Sequence, residues 1–168
     1  MKRPLFLIVS SLCLVSAPLY AETHTVKKVI DGDTIILDNG KKVRLLGTNT
    51  PELAKNGKPP EALTQQATEF TRQQIEGKEI RLECDESKAA DHNRDTKGRL
   101  LAYVWYKEKT SNDPADQEKM LNKELIQKGY ASALTKHPFK YSEEFKQRES
   151  EAQKKKKGIW EKESKFSS

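Results

Sequence analysis

The sequence predicts an α+β protein in which a small closed β-barrel of five strands carries helices between and after the strands. Five short stretches alternate apolar and polar residues, as half-buried strands do. Three longer stretches repeat apolar residues at helical spacing. The 168 residues fit one domain and leave no length for a second sizeable core. The five-stranded OB-fold barrel is one architecture of this kind.

The strands are expected over 25–30, 35–37, 42–46, 78–84 and 100–106. The turn sequence Asp38-Asn39-Gly40 joins the second and third strands as a hairpin, so the first three strands form an antiparallel meander. The polar stretch 85–98 is expected to be a loop. Cys84 alternates with Ile80 and Leu82, which predicts a small buried core residue.

Helices are expected over 61–75, 117–127 and 142–157. Pro59 and Pro60 block an earlier start of the first helix, because proline fixes φ and has no N–H donor. Gly129 and Gly158 follow the second and third helices, where glycine commonly ends a helix. The four lysines of 154–157 share the last helix with several glutamates. We expect them to form a solvated, ion-paired face, with contact to a nucleic-acid backbone as the alternative.

The amino terminus has the pattern of a cleaved export signal. A basic start, Met1-Lys2-Arg3, precedes an apolar run over 5–19 and the small residue Ala21. The run is shorter than the roughly 20 residues that span a membrane. We therefore expect a signal peptide over 1–21 and one domain over 22–168, exported to the periplasm or the medium and not held at a membrane.

Removal of the signal leaves a mildly basic chain with one cysteine. Two basic residues are lost and no acidic one, so the formal net charge falls from +6 to +4. This balance permits a polyanionic partner without requiring one. With a single cysteine no internal disulfide can form, so a hydrophobic core must hold the fold.

Two motifs carry the candidate functional residues: VIDGDT at 29–34 and VRLLGTNTPE at 43–52. Hydrolysis of a phosphodiester requires a hard cation, a water made nucleophilic and cationic donors to the phosphoryl oxygens. Asp31 and Asp33 project to one side of an extended segment, where carboxylate oxygens suit calcium. Glu52 follows Pro51 in a stiff turn and is a candidate general base. An Asp-Gly turn and a solvated loop glutamate are the alternative interpretations.

Several motifs together resemble the staphylococcal nuclease, or thermonuclease, family. They fall in the family's order over nearly the whole chain after residue 21: IDGDT at 30–34, RLL at 44–46, TPE at 50–52, KGRLLAY at 97–103 and GIW at 158–160. The resemblance implies a five-stranded OB-fold barrel with three helices. It also implies a calcium-dependent endonuclease that acts on DNA and RNA.

The resemblance implies a metal site with one departure from the family pattern. By it, Asp33 is a metal ligand, the backbone carbonyl of Thr50 is another, and Asp31 lies in the outer shell. Asn49 stands where the best-known member has a second metal-ligating aspartate. An asparagine oxygen can coordinate calcium, but affinity rises with ligand charge. We therefore expect weaker calcium binding, or greater reliance on Asp31 and on the substrate phosphate.

The resemblance also implies the catalytic groups. Glu52 matches the glutamate to which the role of general base is assigned. Arg44 and Arg99 are fork donors suited to phosphate and match the pair that neutralises the transition state. Taken singly, either arginine would more often be a surface or salt-bridge residue. The family's lysine-tyrosine pair is absent before Gly98, and only Lys97 keeps a potential phosphate contact.

The base-stacking surface departs furthest from the family pattern. The family's tyrosines after the second helix fall near Thr135 and His137, and neither is a tyrosine. Phe139 and Tyr141 follow closely and are candidates for stacking on a base or for core packing. Trp160 matches the family's tryptophan and is expected to pack against the body of the domain.

Other function classes remain open at this stage. The same barrel can bind nucleic acid without cutting it, although a binding module would have no need of the full catalytic set. A histidine-dependent metal nuclease around His92 is a weaker alternative, because residues 91–94 have the character of an exposed loop. His24, His92 and His137 lack the spacing of a zinc site. We expect a monomer with no stable protein partner.

Overall fold

A computed structural model of the protein describes residues 23–52, 62–108 and 118–161. The strands in this part of the chain are β1 Thr23–Asp31, β2 Thr34–Leu37, β3 Lys42–Leu45, β4 Thr48–Asn49, β5 Glu79–Glu83, β6 Leu100–Lys107, β7 Glu118–Met120 and β8 Ser132–Ala133. The α-helices are α1 Thr64–Ile75, α2 Leu121–Gln127 and α3 Ser142–Lys154, and 3-10 turns occupy Glu86–Asp91 and Gly158–Trp160.

Five strands close into a barrel. The sheet order is β3-β2-β1-β5-β6-β7, with antiparallel neighbours throughout. β3 also pairs with β6 in parallel, with Val43 opposite Leu100 and Leu45 opposite Ala102. This pairing joins the two ends of the five-strand sheet. The structure therefore confirms the predicted α+β fold, an OB-fold barrel with three helices.

Asn122 fixes the closure from inside the core. It is completely buried on α2, and its side-chain oxygen accepts a hydrogen bond from Val104 N at 2.9 Å. Its amide nitrogen donates to the carbonyl of Leu46 at 2.9 Å and to that of Ala102 at 3.3 Å. One buried amide thus satisfies backbone groups of β6 and of the chain just after β3. Of the predicted phosphate-binding arginines, Arg44 lies in β3 and Arg99 directly precedes β6.

Three helix boundaries differ from the prediction. Met120 was expected in a helix, but β7 pairs with the edge of β6 there, with Met120 opposite Trp105. Its apolar side chain is buried in either conformation, so the sequence pattern does not distinguish them. The last helix ends at Lys154 and not at 157, since Lys156 adopts a left-handed φ of 50°. The predicted starts at 61 and 117 lie outside the described residues, but the first helix begins only at Thr64, because Leu63 adopts a left-handed φ of 66°.

The prediction for Cys84 is wrong. β5 ends at Glu83, so the alternation that buries Ile80 and Leu82 does not continue, and Cys84 is exposed. The next residue, Asp85, is buried instead. Its carboxylate accepts hydrogen bonds from the hydroxyl of Tyr103 and from the backbone N–H of Lys140. A buried, hydrogen-bonded carboxylate is therefore found next to the position where the periodicity predicted a buried apolar residue.

The predicted signal peptide over 1–21 lies outside the described residues. Within the described ranges, none of the helices combines the length and the apolar character that crossing a membrane requires.

Candidate active site

The turn between β1 and β2 holds the two aspartates. Asp31 Oδ1 accepts a hydrogen bond from Asp33 N at 3.0 Å, which fixes the turn locally. Only glycine fits between them, because a Cβ at Gly32 would lie 2.7 Å from Thr50 Cγ2. Thr71 of α1 donates from its hydroxyl to the carbonyl of Gly32 at 2.7 Å. Contacts within the turn, with the 48–50 segment and with α1 thus fix the position of the turn.

Asp33 is the most strongly held carboxylate of the site. Its side chain is 7% exposed, and Oδ2 lies 2.7 Å from Arg44 Nη1. The same oxygen accepts hydrogen bonds from the N–H and the hydroxyl of Thr50 at 2.8 and 2.9 Å. Burial raises the pKa of Asp33 to about 6, although the Arg44 charge and the Thr50 N–H act to lower it. Thr34 Oγ1 completes the contacts at 3.3 Å from Oδ1.

Arg99 is held at the entry to β6 by Asp95. Asp95 Oδ2 lies 2.7 Å from both Nε and Nη2 of Arg99, a bidentate pair. Asp95 Oδ1 accepts from the backbone N–H groups of Lys97 and Arg99 at 2.9 Å each. Burial acts to raise the pKa of Asp95, but the bonds from Arg99 and Lys97 lower it overall. Arg99 Nη1 also lies 3.4 Å from Thr34 Oγ1, beside Asp33.

Glu52 lies at the mouth of the site. Pro51 before it is buried, whereas Glu52 is exposed. The carbonyl of Glu52 accepts a hydrogen bond from Thr64 Oγ1 at 2.9 Å. The first turn of α1 thereby anchors the backbone of Glu52, as Thr71 two turns later anchors Gly32. One helix positions both halves of the site.

One cleft of about 220 Å³ brings every predicted site residue together. We call it the catalytic cleft. Seven of the residues that line it are those predicted from the sequence: Asp31, Asp33, Arg44, Asn49, Thr50, Glu52 and Arg99. Lys97, the remaining candidate for a phosphate contact, lines the same cleft.

The donor set of the cleft fits a hard cation. Asp31 and Asp33 supply carboxylate oxygens, Asn49 an amide oxygen and Thr50 a hydroxyl and a carbonyl, and oxygen is the donor that calcium prefers. In the parts of the chain that the structure describes, no three Asp, Glu, His or Cys side chains are grouped as a metal site. A cation here would therefore depend on two aspartates together with neutral oxygens, water and the substrate phosphate.

A second cleft of about 290 Å³ shares Arg44 and Arg99 with the first, and we call it the arginine-side cleft. Leu134, 50% exposed, lies in it with His137 and Phe139. Phe139 is 7% exposed and packs against Tyr103 and Phe145, so it serves core packing.

Tyr141, the other stacking candidate, does not line the arginine-side cleft. It donates from its hydroxyl to Glu83 at 3.0 Å, and its ring packs edge-on against Tyr103. The two aromatic residues predicted for stacking are thus both engaged within the domain.

The sequence reasoning missed the residues that hold the site in place. Thr64 and Thr71 are seven apart and so share one face of α1, and both are buried. Two threonines seven residues apart in the predicted helix are a signal that could have been used. Asp95 stands three residues before a glycine in DTKG, which is the pattern of a side-chain-capped turn. Asn122 offered no such signal.

The closed OB-fold barrel gathers carboxylates, one amide oxygen and two arginines into one cleft at its rim, a set of groups suited to binding phosphate. Residues 42–162 match the model of the staphylococcal nuclease homologue family. The thermonuclease of Staphylococcus hyicus is 37% identical over 143 residues, 83% of this chain and 76% of the relative.

Two further relatives agree. The thermonuclease of Staphylococcus intermedius is 37% identical over 150 residues, which cover 87% of this chain and 80% of the relative. Endonuclease YncB of Bacillus subtilis is 33% identical over 141 residues, 82% of this chain and 61% of the relative. The chain belongs to the staphylococcal nuclease homologue family, and it is a nuclease-family protein.

Proposed function

We propose that this protein is an exported, calcium-dependent endonuclease that hydrolyses phosphodiester bonds of DNA and RNA with little sequence specificity. The observation that carries the proposal is the single catalytic cleft that holds Asp33, Arg44, Glu52 and Arg99. The names of the relatives, thermonuclease and endonuclease, support the same activity.

Each residue of the catalytic cleft has a separate role in the proposed reaction. A bound calcium ion, held by Asp33, Asn49, the Thr50 carbonyl and in its outer shell Asp31, would supply positive charge next to the phosphate and its attacking water. Glu52 accepts the proton of that water as its oxygen bonds to phosphorus.

The arginines serve the phosphoryl group. Arg44 and Arg99 donate to its oxygens while the P–O ester bond breaks and the leaving oxygen takes a proton from solvent. Lys97 adds a further charge to the same cleft.

The low specificity follows from the kind of group in the catalytic cleft. Its cations address the phosphate backbone, which is common to every sequence and to both nucleic acids. Export follows from the signal pattern over 1–21, and a monomer from the small single domain, with no stable protein partner.

The test is cleavage of single-stranded DNA, duplex DNA and RNA by the purified protein with calcium, with magnesium and with chelator. Glu52→Gln should lower the rate by about 100-fold or more, as loss of a general base does. Arg99→Ala should lower it by about 100- to 1,000-fold, as loss of a transition-state donor does.

The matched control is Glu143→Gln on α3, whose side chain is 83% exposed, and it should leave the rate unchanged. Nucleic-acid binding without cleavage in the unmodified protein would contradict the proposal and favour the alternative, a catalytically weak OB-fold nucleic-acid-binding protein. Asn49 would then be the first residue to change.

A further inference from the structure

A third cleft adjoins the catalytic cleft at Asn49 and Pro51, which line both. Its volume is about 590 Å³, within the range of roughly 300–1,000 Å³ that ligand sites occupy. Trp160 lies in its wall, and we call it the tryptophan cleft. The function proposed above gives no role to Trp160 or to the wall that it belongs to.

Backbone contacts hold the walls of the tryptophan cleft. On one side Asn49 of β4 pairs with Ser132 of β8. On the other side the turn Gly158–Trp160 is attached by a hydrogen bond from Ile159 N to the carbonyl of Gly129 at 2.9 Å. A Cβ at Gly129 would lie 2.2 Å from the carbonyl oxygen of Lys157, so the two segments touch as closely as glycine allows. The cleft is preformed.

The uncharged lining combines flat and apolar surface with amide and hydroxyl groups. The apolar part comes from Pro51, Leu63 and the indole of Trp160. The polar part comes from the side chains of Gln66 and Ser132, with Asn49 at the junction with the catalytic cleft. An aromatic face beside hydrogen-bonding amides is the surface on which proteins seat nucleobases.

The charges are distributed differently in the two clefts. Arg44, Arg99 and Lys97 line the catalytic cleft, where a phosphate would be neutralised. Among the described residues that line the tryptophan cleft there is no lysine or arginine, and Glu161 supplies the only carboxylate. The described lining of this cleft therefore suits the uncharged part of a nucleotide better than a phosphate.

We propose that the tryptophan cleft binds the base and sugar of the nucleotide that adjoins the phosphodiester being cut. This inference rests on the proposed nuclease function. A strand whose phosphate lies in the catalytic cleft passes Asn49 and Pro51 as it leaves on that side, and the tryptophan cleft is the surface that it meets. Stacking on Trp160 accepts any base, in agreement with low sequence specificity.

The first experiment compares a short deoxythymidylate substrate with two longer ones, extended by one nucleotide on the 5′ or on the 3′ side of the scissile bond. One of the two extensions should lower KM by about tenfold with little change in kcat, as one stacked base would. In Ser132→Phe, which fills the cleft, that gain should vanish while cleavage of the shortest substrate persists.

A matched pair of substitutions tests whether the nucleotide binds in the tryptophan cleft, and neither substitution should destabilise the fold. Gln66 lines the tryptophan cleft and Gln65, its exposed neighbour on α1, does not. Gln66→Glu should raise KM for the extended substrate about fivefold through repulsion of the strand, and Gln65→Glu should not. Equal effects of the two, or a gain from extension that survives Ser132→Phe, would overturn the proposal.

A binding readout separates this inference from the nuclease activity. The protein has two tryptophans, so Trp105→Phe leaves Trp160 as the single indole. Octathymidylate in the presence of chelator should quench its emission, and Ser132→Phe should prevent the quenching. Cleavage with calcium but no change in Trp160 emission would overturn the site and leave the nuclease standing. Absence of both cleavage and binding would overturn both. A third outcome is that the emission of Trp160 changes when residues 162–168 are removed but not when DNA is added. The proposal would then be overturned, and the cleft would be assigned to the chain's own carboxyl-terminal segment.

Discussion

Arg44 Nη1 lies 2.7 Å from Asp33 Oδ2, so the arginine assigned to the phosphate is paired with the aspartate assigned to the metal. The two side chains are 14% and 7% exposed, so the pair is largely withdrawn from water. A cation that took Asp33 as a ligand would compete with Arg44 for the charge of the same carboxylate. We propose that metal loading would in this way make Arg44 more available to the phosphate, so that the two events would be coupled through one carboxylate.

This coupling predicts the effect of Arg44→Gln on metal binding. Removing the arginine charge should tighten calcium binding at pH 8 about fivefold, because one competitor of like charge is gone. Cleavage should fall by about 100-fold or more, since a donor to the transition state is lost. Isothermal titration and initial rates measure the two. Arg99→Gln is the control: Arg99 pairs with Asp95, so its loss should lower cleavage without tightening calcium binding. Equal calcium affinities of Arg44→Gln and the unmodified protein would refute the coupling.

The raised pKa of Asp33 predicts how stability depends on pH without metal. The folded state, with a pKa of about 6, binds the proton more tightly than the unfolded state does at 3.8. Stability is therefore lost as pH rises from about 4 through 6, by about 3 kcal/mol. Asp33→Asn lacks this group and so has no such loss. The free energy of unfolding of Asp33→Asn, relative to that of the unmodified protein, should therefore increase across that pH range.

Urea unfolding in chelator at pH 4 and pH 7 measures that difference. Acidic groups remote from Asp33 contribute equally in both proteins and cancel. Asp38→Asn, in the hairpin turn between β2 and β3, controls for loss of one negative charge and should give a smaller change than Asp33→Asn. A difference that does not vary with pH would mean that the pKa of Asp33 is not raised.

Asn49→Asp should strengthen calcium binding. Asn49 is exposed at the rim of the catalytic cleft, and a carboxylate there adds one negative charge to a site with few of them. The calcium concentration for half-maximal cleavage should fall about tenfold. Asn39→Asp carries the same charge change on the hairpin turn and should leave that concentration where it is. If Asn49→Asp also leaves it unchanged, Asn49 is not a ligand.

Asp95 should act as a positioning residue for Arg99. Asp95→Asn loses the charge that holds the guanidinium, so kcat should fall by about tenfold to 100-fold with KM little changed. In an Arg99→Gln background the same substitution should have no further effect, because the residue that it positions is gone. Additive losses in the double variant would indicate a general structural role.

Asn122→Ala should destabilise the domain by about 3 kcal/mol, since it leaves buried backbone groups of β6 and Leu46 without their partner. Chemical unfolding measures the loss. The same experiment on Asn39→Ala, in an exposed turn, should give a much smaller change. A loss for Asn122→Ala as small as that would mean that the closure of the barrel does not depend on this amide.

The strands and the site could be predicted because they depend on local patterns. Period-two alternation marks β1, β2, β3, β5 and β6, and the closely spaced motifs contain six of the seven predicted residues that line the cleft. Arg99 is the exception. The closure of β3 on β6 joins residues that are 57 apart in the chain, Val43 and Leu100, and no local pattern encodes it. It became predictable only through the family resemblance.

The errors arise where tertiary contacts overrule a local pattern. In the sequence, Cys84 continues the alternation of β5, but the strand ends before it, because the buried Asp85 accepts a hydrogen bond from Tyr103. Met120 has helical neighbours but pairs with β6. Thr71 was passed over because its function, a bond to Gly32, depends on a residue 39 positions away.

Metal-dependent hydrolysis at Asp33 is best tested by the rate of cleavage of a labelled oligonucleotide as free calcium is varied, for the unmodified protein and for Asp33→Asn. We expect the unmodified protein to show a saturable dependence on calcium and no cleavage in chelator, and Asp33→Asn to lose about 100-fold or more of the rate at every calcium concentration. Cleavage that persists in chelator, or that Asp33→Asn performs as well as the unmodified protein, would contradict this expectation.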